Sequence, residues 1–285
     1  MTGIRVRRVG AFIAPAVAHA AGPVRVLAVF PRHLYIIFRV GDEDVTAIIC
    51  APTEQDGPLC IVLEQWPDWT GLHGQYGFFQ NGILKLGLYN IIFQDFCIFP
   101  SAVPIAEGKV LRSQSELIEI AQTIQHGSEF LSSVLVGKNL SFIKDDDVLM
   151  LETGLRENNA SLLQSSATAL AGVGMGLTPA GDDFLCGVML AAWFYMPEAR
   201  ALCAPLRHGA LGMTTTLSYA FLDSAAAGHA SAVWCAFLDA LKTSDHASSL
   251  YKHMVAVVAH GATSGADALA GFLWAAGIMQ TESSR

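Results

Sequence analysis

The sequence predicts an α+β protein: a mostly antiparallel β-sheet or small barrel at the N-terminal end, then an α-helical C-terminal region. Three observations carry this expectation. Short runs rich in Val, Ile and aromatics, punctuated by turn residues, occupy roughly the first 100 positions. Apolar residues at helical spacing, with abundant alanine, occupy the remainder. Pro100 and Pro104 stand between the two regions and place the boundary within 100–112. The expected division is a β-rich domain over 1–105 and a helical domain over 106–285.

In the first region the strand-like runs are 24–30, 33–39, 44–50 and 58–64. Gln80-Asn81-Gly82 is a hairpin-type turn leading into 83–86, with further strands at 89–93 and 96–99. That makes about six or seven strands. In the second region, 113–126 carries Leu117, Ile120, Ala121 and Ile124 at helical spacing, and 128–136 continues it. Further helices are expected near 157–171, 179–196, 198–227, 230–242, 246–259 and 265–279.

The bulk properties exclude several classes. With 285 residues, 52% of them hydrophobic and 15% charged, the chain can bury an ample core and is not a disordered segment. The formal charge is −8 and no basic patch is evident, which argues against a nucleic-acid partner. The mean hydropathy is positive. Even so, the apolar run 184–196 is short of the roughly 20 residues a membrane span needs. The longer run 254–279 is interrupted by His260, Thr263, Ser264 and Asp267, so both read as buried helices and no membrane partner is expected. Arg5, Arg7 and Arg8 precede a stretch, 11–21, that resembles a weak signal peptide. Gly10 and Pro15 interrupt it and strand-like sequence starts at Val24, so a cytoplasmic location is expected. The cysteines at 50, 60, 97, 186, 203 and 235 form no Cys-x-x-Cys pair and read as buried free thiols in a reducing compartment. No His-x-x-x-His pair and no Gly-x-Ser-x-Gly elbow occurs; His260 is the one histidine beside a motif.

The sharpest feature is Gly172-Val-Gly-Met-Gly-Leu-Thr-Pro-Ala-Gly-Asp-Asp183, a glycine-rich turn into a helix N-terminus. Glycines at 172, 174 and 176 permit backbone conformations that other residues avoid. Thr178 suits the N-cap and Pro179 the first helical position. Asp182 and Asp183 fall in the first turn, where the helix dipole favours carboxylates. Capping alone explains part of this pattern. It does not require three alternating glycines and two adjacent acids, and free amides at such a terminus form an anion site. The loop is neither a Walker loop nor a dinucleotide fingerprint.

Gly261-Ala-Thr-Ser-Gly-Ala-Asp267 opens the last helix and shares the spacing Gly-x-Thr-x-x-x-Asp with Gly176, Thr178 and Asp182. Ser264 with Asp267 also has the spacing of a capping box. The expectation is that the two helix N-termini converge on one pocket, each offering amides and a carboxylate. In a third segment, 213–218, Thr214 and Ser218 share a helix face, as do Thr215 and Ser218. Their hydroxyls either bond back to helix carbonyls or line that pocket.

Three motifs together carry a family resemblance. They are Gly-x-Gly-Leu-Thr-Pro-x-Gly-Asp-Asp-x-Leu-x-Gly at 174–187, the Thr-rich helix at 214–228, and Gly-x-Thr-Ser-Gly-x-Asp-x-Leu-x-Gly at 261–271. The chain thereby resembles the AllH family, subunits associated with oxamate carbamoyltransferase in anaerobic allantoin degradation. Met175 and Ala180 stand where the family loop often carries Pro and Ser. The resemblance implies carbamoyl transfer between carbamoyl phosphate and oxamate, giving oxalurate, in a complex with two other kinds of subunit. On that reading Asp182 and Asp183 are the catalytic candidates. The substrate-binding candidates are Gly174, Gly176, Leu177, Thr178, Gly181, Thr215, Ser218, Thr263, Ser264, Gly265 and Asp267. Both substrates are small anions that helix amides can hold, and an aspartate could hold the attacking amide nitrogen or accept its proton. No cofactor is required. Two other readings stand beside this one: a non-catalytic ligand-sensing or scaffolding subunit, and an enzyme with a divalent metal such as Mg between Asp182 and Asp183.

Overall fold

The computed structural model describes residues 2–106, 112–140, 143–243 and 246–282. The chain divides into two units, Met1–Ala102 and Val103–Arg285.

The first unit is a β-barrel of eight strands with one extra strand. Its elements are β1 (Thr2–Gly10), α1 (Ala14–Ala18), β2 (Gly22–Val29), β3 (His33–Val40) and β4 (Glu43–Cys50). Then come β5 (Cys60–Leu63), β6 (Tyr76–Gln80), β7 (Ile83–Leu86), β8 (Tyr89–Ile92) and β9 (Cys97–Phe99). The order β5-β4-β3-β2-β6-β7-β8-β1 closes because β1 also pairs with β5, and β9 adds beside β1. Most pairings are antiparallel; β1–β8, β1–β9 and β4–β5 are parallel. Alternation explains the interior: Val24 and Val26 on β2, and Leu34, Ile36 and Phe38 on β3, are buried. Asn81 and Gly82 both have positive φ, as a two-residue hairpin turn requires, and pair Gln80 with Ile83.

The α+β expectation is borne out, with two strands more than the fuller sequence reading. β1 occupies the arginine-bearing segment that precedes the stretch read as a weak signal peptide, and it alternates apolar Ile4 and Val6 with the arginines at 5 and 7. β6 was hidden because Gly77 and Gln80 dilute its apolar pattern.

The second unit is helical: α2 (Gln114–Ala121), α3 (Glu129–Leu135), α4 (Asp145–Glu157), α5 (Ala160–Leu170) and α6 (Ala180–Tyr195). They are followed by α7 (Ala199–Ala210), α8 (Thr216–Ala226), α9 (Ala232–Thr243), α10 (Ala247–Val258) and α11 (Ser264–Glu282). The sequence expectation needs four corrections here. The helix expected at 113–136 is two, because Ser128 caps a new helix by accepting from Leu131 N–H. α4 was missed, its first turn being the acidic run Asp145–Asp147 rather than an apolar stripe. The helix expected at 157–171 is α5 alone, entered through Asn159, which caps by accepting from Leu162 N–H. The helix expected at 198–227 breaks at Gly212, which has φ +76°, into α7 and α8.

α6 and α11 form the centre of this unit. α6 is apolar almost all round and buried along most of its length, as are Leu269, Phe272 and Leu273 on α11. Their backbones nearly touch. A Cβ on Gly187 would lie 1.9 Å from the Ala268 carbonyl oxygen, and one on Gly271 would lie 2.0 Å from the Phe184 carbonyl oxygen. The crossing is symmetric, since each glycine packs against the residue three places before the other. Phe184, Phe194, Phe237 and Phe272 fill the space beside it. No helix among the described residues is long and apolar enough to cross a membrane. All six cysteines are free. Cys97, expected to be buried, is exposed on β9.

Candidate functional site

The glycine-rich loop leaves α5 at Leu170 and enters α6 at Ala180. Gly172 has φ +78°, and a Cβ there would lie 2.4 Å from the Met213 carbonyl oxygen, so the loop can lie against the 213–215 turn only with glycine at this position. Gly174, Met175, Gly176 and Leu177 form an exposed rim. Gly181 has a packing role: its N–H donates to the Val173 carbonyl, and its α-carbon faces the Leu170 carbonyl. Gly265 likewise sits against the Val257 carbonyl of α10.

The caps differ from the expectation. Pro179, not Thr178, is the N-cap of α6, and its carbonyl accepts from the N–H groups of Asp182 and Asp183. α11 begins at Ser264, so the flanking residue is Thr263, whose carbonyl accepts from Asp267 N–H. With both hydroxyls freed from capping, Thr178 Oγ1 and Ser264 Oγ hydrogen-bond to each other at 2.8 Å. The two helix N-termini therefore meet, as the repeated motif suggested.

The acids at this junction have different surroundings. Asp182 is 1% exposed. Its Oδ1 accepts from Gly172 N–H at 2.9 Å, and its Oδ2 accepts from the hydroxyls of Ser218, at 2.7 Å, and Thr214. It thus ties the glycine loop to the start of α8. Thr214 and Thr215 are not inside a helix; Thr215 is the N-cap of α8, accepting from Ser218 N–H, and its own hydroxyl donates to the Leu177 carbonyl.

Asp183 is 9% exposed, and its Oδ2 is buried without a hydrogen-bond partner among the described residues. Burial pushes its carboxyl up to about 8, reinforced by the charges of Asp267 and Asp182. The hydroxyls of Ser264 and Thr178 pull in the other direction. Asp267, 2% exposed, accepts from the Ser128 hydroxyl. Burial raises its carboxyl too, against the opposing pull of Ser128, Thr263 and nearby His126.

The helix crossing also changes which acids correspond. Asp183-x-Leu-x-Gly187 and Asp267-x-Leu-x-Gly271 place each carboxylate four residues before a crossing glycine. Asp267 therefore matches Asp183, and the Asp182 pairing drawn from Gly-x-Thr-x-x-x-Asp is one residue out of phase.

Beside the α11 entrance lies a groove of about 230 Å³, lined by Ile124, His126, Gly127, Val258, Gly261 and Ala262. The buried Nδ1 of His126 has no hydrogen-bond partner among the described residues. Ser128 and His126 escaped sequence reasoning, because nothing in an exposed-looking 125–128 turn signals a contact with Asp267. His260, singled out by sequence, is exposed, and its carbonyl accepts from Gly265 N–H. Among the described residues no group of three or more His, Cys, Asp or Glu side chains is arranged to hold a metal ion.

Fold and site define an α+β protein whose helical unit joins two helix entrances over buried carboxyls. The family model for oxamate carbamoyltransferase subunit AllH matches residues 170–276, which include both entrances and the 213–218 turn. The resemblance read from the three motifs is borne out over that stretch. No solved structure matches the chain.

Proposed function

We propose that this chain is a subunit of an oxamate carbamoyltransferase and binds a small anionic substrate, carbamoyl phosphate or oxamate, where α6 and α11 begin. The observation that carries the reading is Asp183 Oδ2, a buried carboxyl oxygen without a partner among the described residues, at the junction of the two entrances inside the matched stretch. A buried polar atom without a partner costs stability unless something else satisfies it, and a substrate N–H or O–H would do so.

In the transfer, the oxamate nitrogen bonds to the carbamoyl carbon as the bond from that carbon to the phosphate oxygen breaks. Phosphate leaves with the electron pair, and the nitrogen gives up a proton. Asp183, with its carboxyl raised to about 8, is suited to exchange that proton near neutral pH. Asp182 has a positioning role, because three donors already engage its two oxygens. The same engagement makes it a poor partner for Mg shared with Asp183.

The test is phosphorolysis of oxalurate by the purified chain, alone and with the other subunits of the transferase. Asp183→Asn should abolish turnover in an assembled complex. Full activity in that variant would reduce the chain to a scaffolding or sensing role.

A further inference from the structure

Among the described residues no lysine or arginine acts on the Asp183 or Asp267 carboxyls. The charged groups acting on Asp183 are both negative, Asp267 and Asp182, and Asp267 faces one base, His126. Transfer from an acyl phosphate develops negative charge on the leaving oxygens, which is ordinarily met by Lys, Arg or a metal.

The rim of the same site is apolar and exposed. Met175 is 95% exposed, Leu177 47%, Leu211 61% and Met213 48%. These residues belong to two loops that touch: Gly172 abuts the Met213 carbonyl, and Thr215 donates to the Leu177 carbonyl. Methionine-rich exposed surfaces are adaptable contact surfaces, and contiguous apolar rims mark interfaces. An acidic, cation-poor site under an apolar rim complements a partner that carries a basic residue within an apolar patch.

We infer that the rim formed by 174–177 and 211–213 is the docking surface for a different subunit of the transferase, which brings a lysine or arginine side chain to the Asp183–Asp267 carboxyls. The inference rests on the proposed function and adds the surface and the chemistry of the partner.

The test measures binding of the full chain to the purified other subunits by calorimetry, for wild type, the double variant M175S/M213S and the control L149S. Leu149 is 61% exposed on α4 and lies outside both loops. The double variant should raise Kd at least tenfold with an unchanged melting temperature, and the control should bind as wild type does. Hydrogen exchange in the complex should show protection at 172–178 and 211–215. At pH 9, where Asp183 has lost its proton, wild-type affinity should fall with added NaCl, and Asp183→Asn or Asp267→Asn should flatten that dependence.

Equal binding by wild type and M175S/M213S overturns the surface and leaves the subunit reading standing. An unaltered salt dependence in both carboxamide variants overturns the basic side chain. Self-association of wild type that M175S/M213S abolishes makes the rim a contact between copies and overturns the inference. Failure of wild type to bind any of the subunits overturns the inference and the proposed function together.

Discussion

The α6–α11 crossing leaves no room for a methyl group, and Gly187→Ala tests it directly. The added Cβ would sit 1.9 Å from the Ala268 carbonyl oxygen. Even a close C–H···O contact keeps carbon and oxygen about 3.3 Å apart, so the backbones must give by roughly 1.4 Å. Neither contacting group is the end of a flexible side chain, so the helices themselves have to separate. Overpacking of this kind costs about 3 kcal/mol, at the upper end of the usual range. Alanine recovers about 1 kcal/mol through its better helix propensity. The net expectation is a loss of about 2 kcal/mol in urea unfolding followed by circular dichroism, with an unchanged m-value. Gly277→Ala is the matched control. Its Cβ would meet the Gln114 side-chain amide at 2.5 Å, and a side chain can move aside at the cost of its hydrogen bond to the Leu273 carbonyl. That variant should change stability by under about 1 kcal/mol. A Gly187→Ala protein as stable as wild type, to within about 0.5 kcal/mol, would refute the close crossing.

Three further outcomes follow from the site. The folded Asp183 carboxyl keeps its proton up to about pH 8, whereas the unfolded one loses it near pH 4. Between these values the folded chain holds the extra proton, so the stabilisation, complete below about pH 4, declines by up to about 1.4 kcal/mol per pH unit and levels off above pH 8. Asp267 contributes with the same sign. Unfolding measured from pH 5 to 9 should show this decline and a shallower one in Asp183→Asn; identical slopes would count against the raised carboxyl. Asp182→Ala strands the donors of Gly172, Thr214 and Ser218 and should cost about 3 kcal/mol or more in chemical denaturation. Thr215→Ala removes the α8 cap and should cost about 1 kcal/mol, with faster amide exchange at Ser218 as the local readout.

The sequence made the fold class legible because its two periodicities are strong: alternation on β2 and β3, and helical spacing on α2. β1 escaped because its arginines sit on the outward face of a strand, where they imitate the charged start of a leader. α4 escaped because an acidic first turn is a dipole signal rather than an apolar one. At the site, the repeated Gly-Thr-Asp spacing revealed that two helix entrances meet. It could not reveal which acid faces which, since that depends on the phase of the glycine crossing. Nor could it separate Asp182 from Asp183. Adjacent residues on a helix point about 100° apart. Only the fold brings Thr214 and Ser218 to one acid and leaves an oxygen of the other unpaired.

The meeting of the two helix starts has an electrostatic consequence. Each N-terminus carries the equivalent of about half a positive elementary charge, so together they present about one. That charge belongs to the peptide units and survives any side-chain substitution. It is shared among the buried carboxyls while no anion is present. An arriving anion takes a portion of it, leaves Asp183 less compensated and strengthens that carboxyl's hold on its proton. On the proposed function, anion binding at this junction is coupled to uptake of a proton where Asp183 is otherwise ionised, above about pH 8, and ligand affinity falls as the medium becomes more alkaline.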